Sequence, residues 1–357
     1  MKTTVRLLAS MLILASANAF AAGATVDGRM DWVGTSYNDA AATAAGTGGS
    51  SAFQVSRLRL MFQSNLTEDI MGKVRLNLIE SASTVIPESK INKYVDYAYL
   101  TQKFNPNFSA SVGRVVNLIG GREAINGGGD YYFVSQAGAQ IQGRATNAQY
   151  PVGLLLTGMF EDQRLDVIAA NTTANDSVGT TATQTRMMMG VSYLGSFLDK
   201  TIMPIVSYHQ DADNENNEKR TYLNAGIKWI IAQPFELELD YLANNNSFKT
   251  WAAAASKDTT SIVGSFRWKA SDYFHAIAKV ESSTDSVAAA AGANPTFNDN
   301  KITQIGLAGE YYPNTSATNM RYHLAAVQRT MKPGAGGDDQ VETRVYAGVR
   351  FVADFLK

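Results

Sequence analysis

The stretch Phe53–Glu80, FQVSRLRLMFQSNLTEDIMGKVRLNLIE, contains two strands, the turn between them and both of their faces. Leu58, Leu60 and Phe62 alternate with Arg57, Arg59 and Gln63. After the polar turn Thr67-Glu68-Asp69, Val74, Leu76 and Leu78 alternate with Lys73, Arg75 and Asn77, so the two-residue period resumes on the returning strand. One face is apolar and the other is cationic. A soluble sandwich buries the apolar face against a second sheet, whereas a membrane barrel turns it to lipid and keeps the polar face for a wet interior. The rest of the chain decides between the two.

The chain has 357 residues, three histidines and no cysteine. Residues Met1–Ala21 read as a secretory signal: Lys2 and Arg6 make the positive end, Leu7–Ala15 the apolar stretch and Ala19-Phe20-Ala21 a small-x-small cleavage site. That apolar stretch is too short to span a bilayer as a helix, and no later stretch reaches the roughly 18 unbroken apolar residues that a spanning helix uses. Absence of cysteine excludes disulfide frameworks and thiolate chemistry, as suits an exported chain. The formal net charge is −1. No strong field for nucleic acid follows, so a nucleic-acid partner is not expected.

Working outward from the hairpin, the period-two pattern recurs along the whole chain. Val26, Met30 and Trp32 oppose Asp27, Arg29 and Asp31 in a first strand. Further strands are read at Lys93–Phe104, Phe108–Arg114, Ala137–Ala145 and Gln149–Gly158, the last two as a pair about a turn at Thr146–Ala148. Later strands contain Thr185–Tyr193, Ile202–Tyr208, Tyr222–Trp229, Phe235–Tyr241, Ile262–Lys269, Phe274–Glu281, Ile302–Tyr312, Met320–Thr330 and Val341–Phe355. Arg164–Ala170 is ambiguous. The total is sixteen strands, or eighteen if Arg164–Ala170 adds a hairpin.

Connections alternate in length. Polar loops lie near 38–51, 81–92, 115–136, 159–183, 209–219, 245–258, 283–300 and 331–340, and tight turns at Thr67, Asn105, Thr146, Gly195, Ala232, Ala270 and Pro313. Aromatic residues flank the short turns: Phe104 and Phe108, Tyr193 and Phe197, Trp229 and Phe235, Trp268 with Tyr273 and Phe274, Tyr311 and Tyr312. Such rings suit a bilayer interface, with the ring body in lipid and the polar edge in water. The fold class expected is therefore all-β: a transmembrane antiparallel β-barrel with long outer loops and short periplasmic turns. In lipid the sheet must close, because an open edge leaves unpaired N–H and C=O groups. Sixteen strands then enclose an aqueous channel.

With those features in place, the chain resembles the general and phosphate-selective porin families of Gram-negative outer membranes. The residues that carry the resemblance are the strand Ser56-Arg57-Leu58-Arg59-Leu60, the strand end Val112-Gly113-Arg114 before a long Gly-rich segment, and the closing run Gly348–Phe355. The closing run differs from the family pattern in that Leu356 and Lys357 follow the aromatic Phe355. The resemblance implies a signal peptide at 1–21 and a barrel over 22–357, whose third long loop, about 115–136, folds inward and narrows the pore. It places Arg122, Glu123 and Asp130 at that constriction, with Glu123 and Asp130 facing a basic wall of Arg57, Arg59, Lys73, Arg75 and Arg114. It also implies a homotrimer in the cell outer membrane, among lipid and lipopolysaccharide, with small hydrophilic solutes and ions as its cargo.

The arginines can act as an anion filter, since rings of charge at a narrow wet constriction select ions. Their other reading is wall solvation and pairing with acids. Lumen acids such as Asp96, Glu236, Glu238 and Asp240 limit the expectation to a weak anion preference. Asp211, Asp213, Glu215 and Glu218 lack the central glycine and full spacing of a calcium loop, and His209, His275 and His323 are too scattered for a zinc motif. No cofactor is implied. No Ser/His spacing singles out a nucleophile, so a non-enzymatic porin for passive diffusion is expected. The alternative is a plugged outer-membrane barrel acting as a surface enzyme or adhesin.

Overall fold

The computed structural model describes residues 22–38, 48–79, 94–126, 132–142, 148–174, 184–213, 218–247, 256–288, 297–313, 320–334 and 336–356. The leader at 1–21, Asp130 and the turn expected at Thr146 lie outside them. Five strands come first: β1 (Ala22–Asn38), β2 (Gly49–Asn65), β3 (Ile70–Asn77), β4 (Val95–Lys103) and β5 (Phe108–Arg114). Two short helices follow, α1 (Gly121–Asn126) and α2 (Gln136–Gln142). The chain continues through β6 (Val152–Phe160), β7 (Gln163–Ala174), β8 (Gln184–Leu194), β9 (Ile202–Asp213), β10 (Glu218–Ala232) and β11 (Phe235–Ser247). It ends with β12 (Ser256–Lys269), β13 (Phe274–Ala288), β14 (Phe297–Tyr311), β15 (Met320–Lys332) and β16 (Gln340–Leu356).

Each strand pairs antiparallel with its neighbours in sequence, and β1 pairs with β16, so the sheet is a closed barrel of sixteen strands. Closure leaves no strand edge unpaired. The alternation in sequence is the alternation of faces: Leu239, Tyr241 and Leu307 stand on the outer face, 42–62% exposed, while Glu238 and Asp240 point inward. In the β2–β3 hairpin, Phe62 lies opposite Val74 and Leu60 opposite Leu76 on the outside, with Arg59 opposite Asn77 and Gln63 opposite Lys73 on the inside. A bulge at Ser56 lets Ser56 and Arg57 both face inward, because Met30 pairs with Val55 while Arg29 pairs with Arg57.

Short turns occupy one rim, and side-chain oxygens shape several of them. The Thr67 hydroxyl accepts from the Ile70 amide at 3.0 Å, Asn105 Oδ1 accepts from the Asn107 and Phe108 amides, and the Ser271 hydroxyl accepts from Tyr273 and Phe274. These local bonds close the chain before the next strand starts. Outward rings sit beside these turns, among them Phe104, Phe108, Trp229, Trp268 and Tyr273. Tyr312 departs from this girdle. It turns inward, is buried, donates to Glu310 and packs on His275 with ring centroids 4.5 Å apart.

The strand count of sixteen agrees with the sequence reading, but two of its members change. Ala137–Ala145 is not a strand: its described part belongs to α2, where Ser135 caps the helix by accepting from the Gly138 amide at 3.0 Å. Ala137 and Ile141 lie one helical turn apart, so a helix satisfies the same apolar spacing. Conversely, the region 159–183 expected to be a loop contains a whole strand, β7, joined to β6 by a turn of two residues. Its alternation is blurred because its inner face, polar at Arg164 and Asp166, turns apolar in its second half. Ile168 and Ala170 pack inside the barrel with Val115, Leu155 and Met188. One strand is lost and one gained, and the inward segment runs from 115 to 151 instead of ending at 136.

Candidate functional site

Gly113 starts the inward segment. Its φ of +126° and the closeness of the Ala98 carbonyl and Tyr99 to any Cβ leave room only for glycine, and beyond it the chain leaves the wall. The two limbs of the segment pair with each other, Val115 N donating to Pro151 O at 2.9 Å and Asn117 N to Gln149 O at 3.0 Å. Asn117 Oδ1 then meets His209 Nε2 at 2.9 Å, and the Ser192 hydroxyl donates to Leu118 O at 2.7 Å, which ties the limb to β8 and β9.

Both helices of the segment point their amino ends at wall carboxylates. Asp240 accepts from the amides of Arg122 and Glu123, at 2.8 and 2.9 Å. Glu281 accepts from the Gln136 amide at 2.6 Å, and Ser261 Oγ from the Ala137 amide at 3.0 Å. The first amides of a helix have no intrahelical acceptor, so a wall acid satisfies them and pins the segment at once. Gly121, with φ +67°, permits the approach, since a Cβ there would fall 2.6 Å from Asp240 Oδ1. Glu123 links the two helices: it accepts from Ser135 N at 2.8 Å and from the Ser135 hydroxyl, and forms an ion pair with Lys279.

The far tip of the segment docks on the opposite seam of the barrel. The Phe133 ring occupies a notch left by Gly306, within the apolar cluster of Ile277, Ala308, Ala325, Val327 and Tyr346. Tyr132 donates to Glu310 at 3.0 Å and lies beneath the Arg29 guanidinium, 4.8 Å from its ring centre. Burial, reinforced by the Glu310 carboxylate, pushes the Tyr132 phenol above its ordinary range, so it remains a donor at neutral pH. On the return limb Tyr150 receives Arg75 on its hydroxyl at 2.5 Å and Arg114 on its carbonyl at 3.1 Å.

The result divides the lumen. Inward residues behind the segment are sealed: Asp211, Asn224 and Ser261 are 0% exposed. On β2 and β3 the inner wall stays open, with 21% of the Arg59 side chain and 19% of the Arg75 side chain accessible. Solved structures share this architecture over nearly their whole length. OmpT of Vibrio cholerae superposes with a TM-score of 0.61 at 11% identity, covering 95% of this chain and 99% of that one. An anion-selective porin from Comamonas acidovorans gives 0.58 at 11%, covering 93% and 99%. The outer-membrane channel DcaP of Acinetobacter baumannii gives 0.54 at 10%, covering 92% and 96%. The fold is that of the outer-membrane porins. Neither a family profile nor a curated protein matches the sequence.

Within this porin fold, Arg57, Arg59, Lys73 and Arg75 lie on the inner faces of β2 and β3, whereas the ladder sets Arg114 opposite Ala98 and Val152, on the side of β5 that carries outward Val112, and not with them. Acids hold most of them. Asp27 bridges Arg57 and Arg350 at 2.8 and 3.2 Å, and Asp96 bridges Arg59 and Arg75 at 3.2 and 3.0 Å. Arg114 is held by the Tyr150 carbonyl, and Lys73 has no ion pair among the described residues. Glu123 does not face this basic wall. It is buried across the barrel against Lys279, and Arg122 is buried beside it, donating to Met203 O. The reason is packing: α1 rests on β9, β10 and β11, where Asp240 accepts its amides.

Sequence reasoning missed Arg350, Tyr132, Tyr150, Lys279 and Glu281, and read Asp240 as an acid lining open water. Arg350 stands in the closing run and its period-two position marks it inward. Nothing in the chain, however, reveals that it meets Asp27, 323 residues away.

Proposed function

We propose that this chain forms a water-filled channel in an outer membrane, through which ions and small hydrophilic solutes diffuse passively with a weak preference for anions. The carrying observation is the division of the lumen: the inward segment covers the inner wall around β8–β13, and the part left accessible is the arginine-rich wall of β2 and β3. Two acids there each serve two arginines, so the lining retains excess positive charge, and a charged wet constriction discriminates by sign. The likeness in fold to an anion-selective porin agrees with this reading. Purified protein in planar bilayers is expected to show stepwise ohmic conductance, with reversal potentials in a salt gradient that favour anions; a sealed barrel removes the proposal.

The membrane setting follows from the apolar outer face, with export directed by residues 1–21. Leu239→Arg, at the middle of the outer face of β11, is expected to destabilise the barrel by about 2–4 kcal/mol in lipid. Denaturant unfolding in liposomes measures it. Strands β3, β4, β5 and β6 have only 8, 9, 7 and 9 residues, against 15 in β13. A tilted strand uses about 9–11 residues to cross the hydrocarbon core. A contiguous low wall of this kind favours shielding by further copies of the chain, in keeping with a homotrimer set among lipid and lipopolysaccharide.

The enzyme alternative finds one suggestive pair, Ser192 and His209, 3.5 Å apart. Both are sealed behind the inward segment, the Ser192 hydroxyl donates its hydrogen bond to Leu118 O, and His209 Nδ1 has no acid to orient it among the described residues. A nucleophile must be reachable and its base must be oriented. The channel reading therefore stands without a catalytic step.

A further inference from the structure

Across the barrel from β2 and β3, at the rim of short turns, the inner face holds a cavity of about 620 Å³ that passive conduction does not use. The β10–β11 turn bounds it with Pro234 and the β12–β13 turn with Asp272. Its floor differs from an ordinary lumen wall, which is polar. Ile230 is an aliphatic residue at an inward position, directly opposite Glu236 on β11. Tyr312, which the aromatic girdle would turn to lipid, instead turns in and packs on His275. A concave site with apolar walls and a few placed polar groups is the usual form of a small-molecule site, and its volume falls within the ordinary range of about 300–1,000 Å³.

The charges of the cavity are balanced and separate. Glu236 holds Lys228 on Oε2 at 2.8 Å and Lys269 on Oε1 at 2.5 Å, so both of its oxygens are engaged. The Lys269 side chain is still 44% exposed, and an ammonium carries three donors, so it has a donor to offer. Asp272 stands across the turn from Lys269 and has no hydrogen bond or ion pair among the described residues. Two lysines and two carboxylates leave no net charge, and the neighbours Arg267, Arg321, Glu238 and Glu310 balance likewise. Such a lining favours neither a simple anion nor a simple cation. We infer that the cavity binds a short zwitterionic peptide with apolar side chains, its carboxylate on Lys269, its ammonium on Asp272 and its side chains on Ile230, Pro234 and the ring of Tyr312. Lys269 and Asp272 do not pair with each other, and the charged ends of a dipeptide, up to about 7 Å apart when extended, suit groups that stand near one another without touching. The site goes beyond the channel reading and does not depend on it, because binding needs the cavity and not conduction.

Titration calorimetry of the full chain in detergent with leucyl-leucine tests the site, and the result is independent of whether the barrel conducts. Saturable binding is expected. N-acetyl-leucyl-leucine lacks the ammonium, leucyl-leucine amide lacks the carboxylate and diglycine lacks the apolar side chains. Each is expected to bind at least about tenfold more weakly, the worth of one charge-assisted hydrogen bond or of the lost apolar contact. Asp272→Asn alters an exposed turn residue that holds no other group, so the fold is expected to survive it. It should weaken leucyl-leucine about tenfold and leave the acetylated peptide unchanged, a pairing of effects that general damage to the barrel would not produce. Lys269→Met should do the reverse, weakening the acetylated peptide and sparing the amide, while Glu236 keeps Lys228. Equal binding of any one of the three analogues, equal sensitivity of both capped peptides to Asp272→Asn, or no saturation by leucyl-leucine across the millimolar range overturns the proposal. A conducting barrel with no such binding leaves the channel standing without the site.

Discussion

Replacing Arg57, Arg59 and Arg75 together by glutamine is expected to convert a weakly anion-preferring conductance into a cation-preferring one. Before the change, Asp27 and Asp96 each serve two arginines. Afterwards Asp27 retains Arg350 alone and Asp96 retains no arginine, so the local balance moves by three charges toward the negative. An ion passing at about 6 Å feels about 0.7 kcal/mol from each charge in water, and screening at 0.1 M salt removes a large part of the sum. About 1 kcal/mol remains for each ion, opposite in sign for anion and cation, which corresponds to about a thirtyfold change in the anion-to-cation permeability ratio. Reversal potentials in a salt gradient read this directly. At 1 M salt the Debye length falls to about 3 Å, so the difference should fade. Arg344→Gln makes a useful contrast, because that side chain is 46% exposed and pairs locally with Glu342; a shift as large as that of the triple variant would deny the basic wall its special place.

The second large effect concerns what holds the inward segment. Lys279→Met removes the only cation on Glu123 among the described residues, where the Glu123 side chain is 1% exposed, together with the donor to Phe133 O. Breaking a buried pair by deleting one partner costs about 3–5 kcal/mol, because the remaining charge loses its compensation. The strand ladders do not depend on this contact, so the cost falls on the docking of the segment and not on barrel closure. Larger single-channel conductance, stronger open-channel noise and faster proteolysis within 115–151 are the expected results. Adding Glu123→Gln to Lys279→Met should restore part of the loss, since an amide still accepts from Ser135 and carries no charge. A double variant no quieter than Lys279→Met alone would show that the ion pair is not what positions the segment.

These expectations rest on unequal foundations in the chain itself. The hairpin at Phe53–Glu80 already shows which residues share a face, and the inward placement of Arg57, Arg59, Lys73 and Arg75 follows from a period of two, a property of the extended backbone that any solvent arrangement preserves. Strand β7 shows where that signal fails. A strand alternates visibly only when its faces meet different surroundings, and Ile168 and Ala170 are covered by Val115 inside the barrel. The opposite error at Ala137–Ala145 arises because alanine, isoleucine and glutamine satisfy a helix as readily as a strand. Ser135 carried the helical signal, as a capping serine ahead of good helix formers.

From the sequence alone came the class of the molecule: a closed ribbon of alternating faces, long connections on one rim and short ones on the other, with a cationic inner wall near its start. Those features depend on residues close together in the chain, where backbone geometry sets the pattern. Tertiary structure alone decided the partners: Asp27 with Arg350 across the closure, Glu123 with Lys279 and not with the basic wall, Asp240 and Glu281 as acceptors for helix amides. A carboxylate that caps a buried helix and one that faces open water are the same letter in a sequence. What separates them is which distant segment lies against the wall, and that depends on packing over the whole barrel.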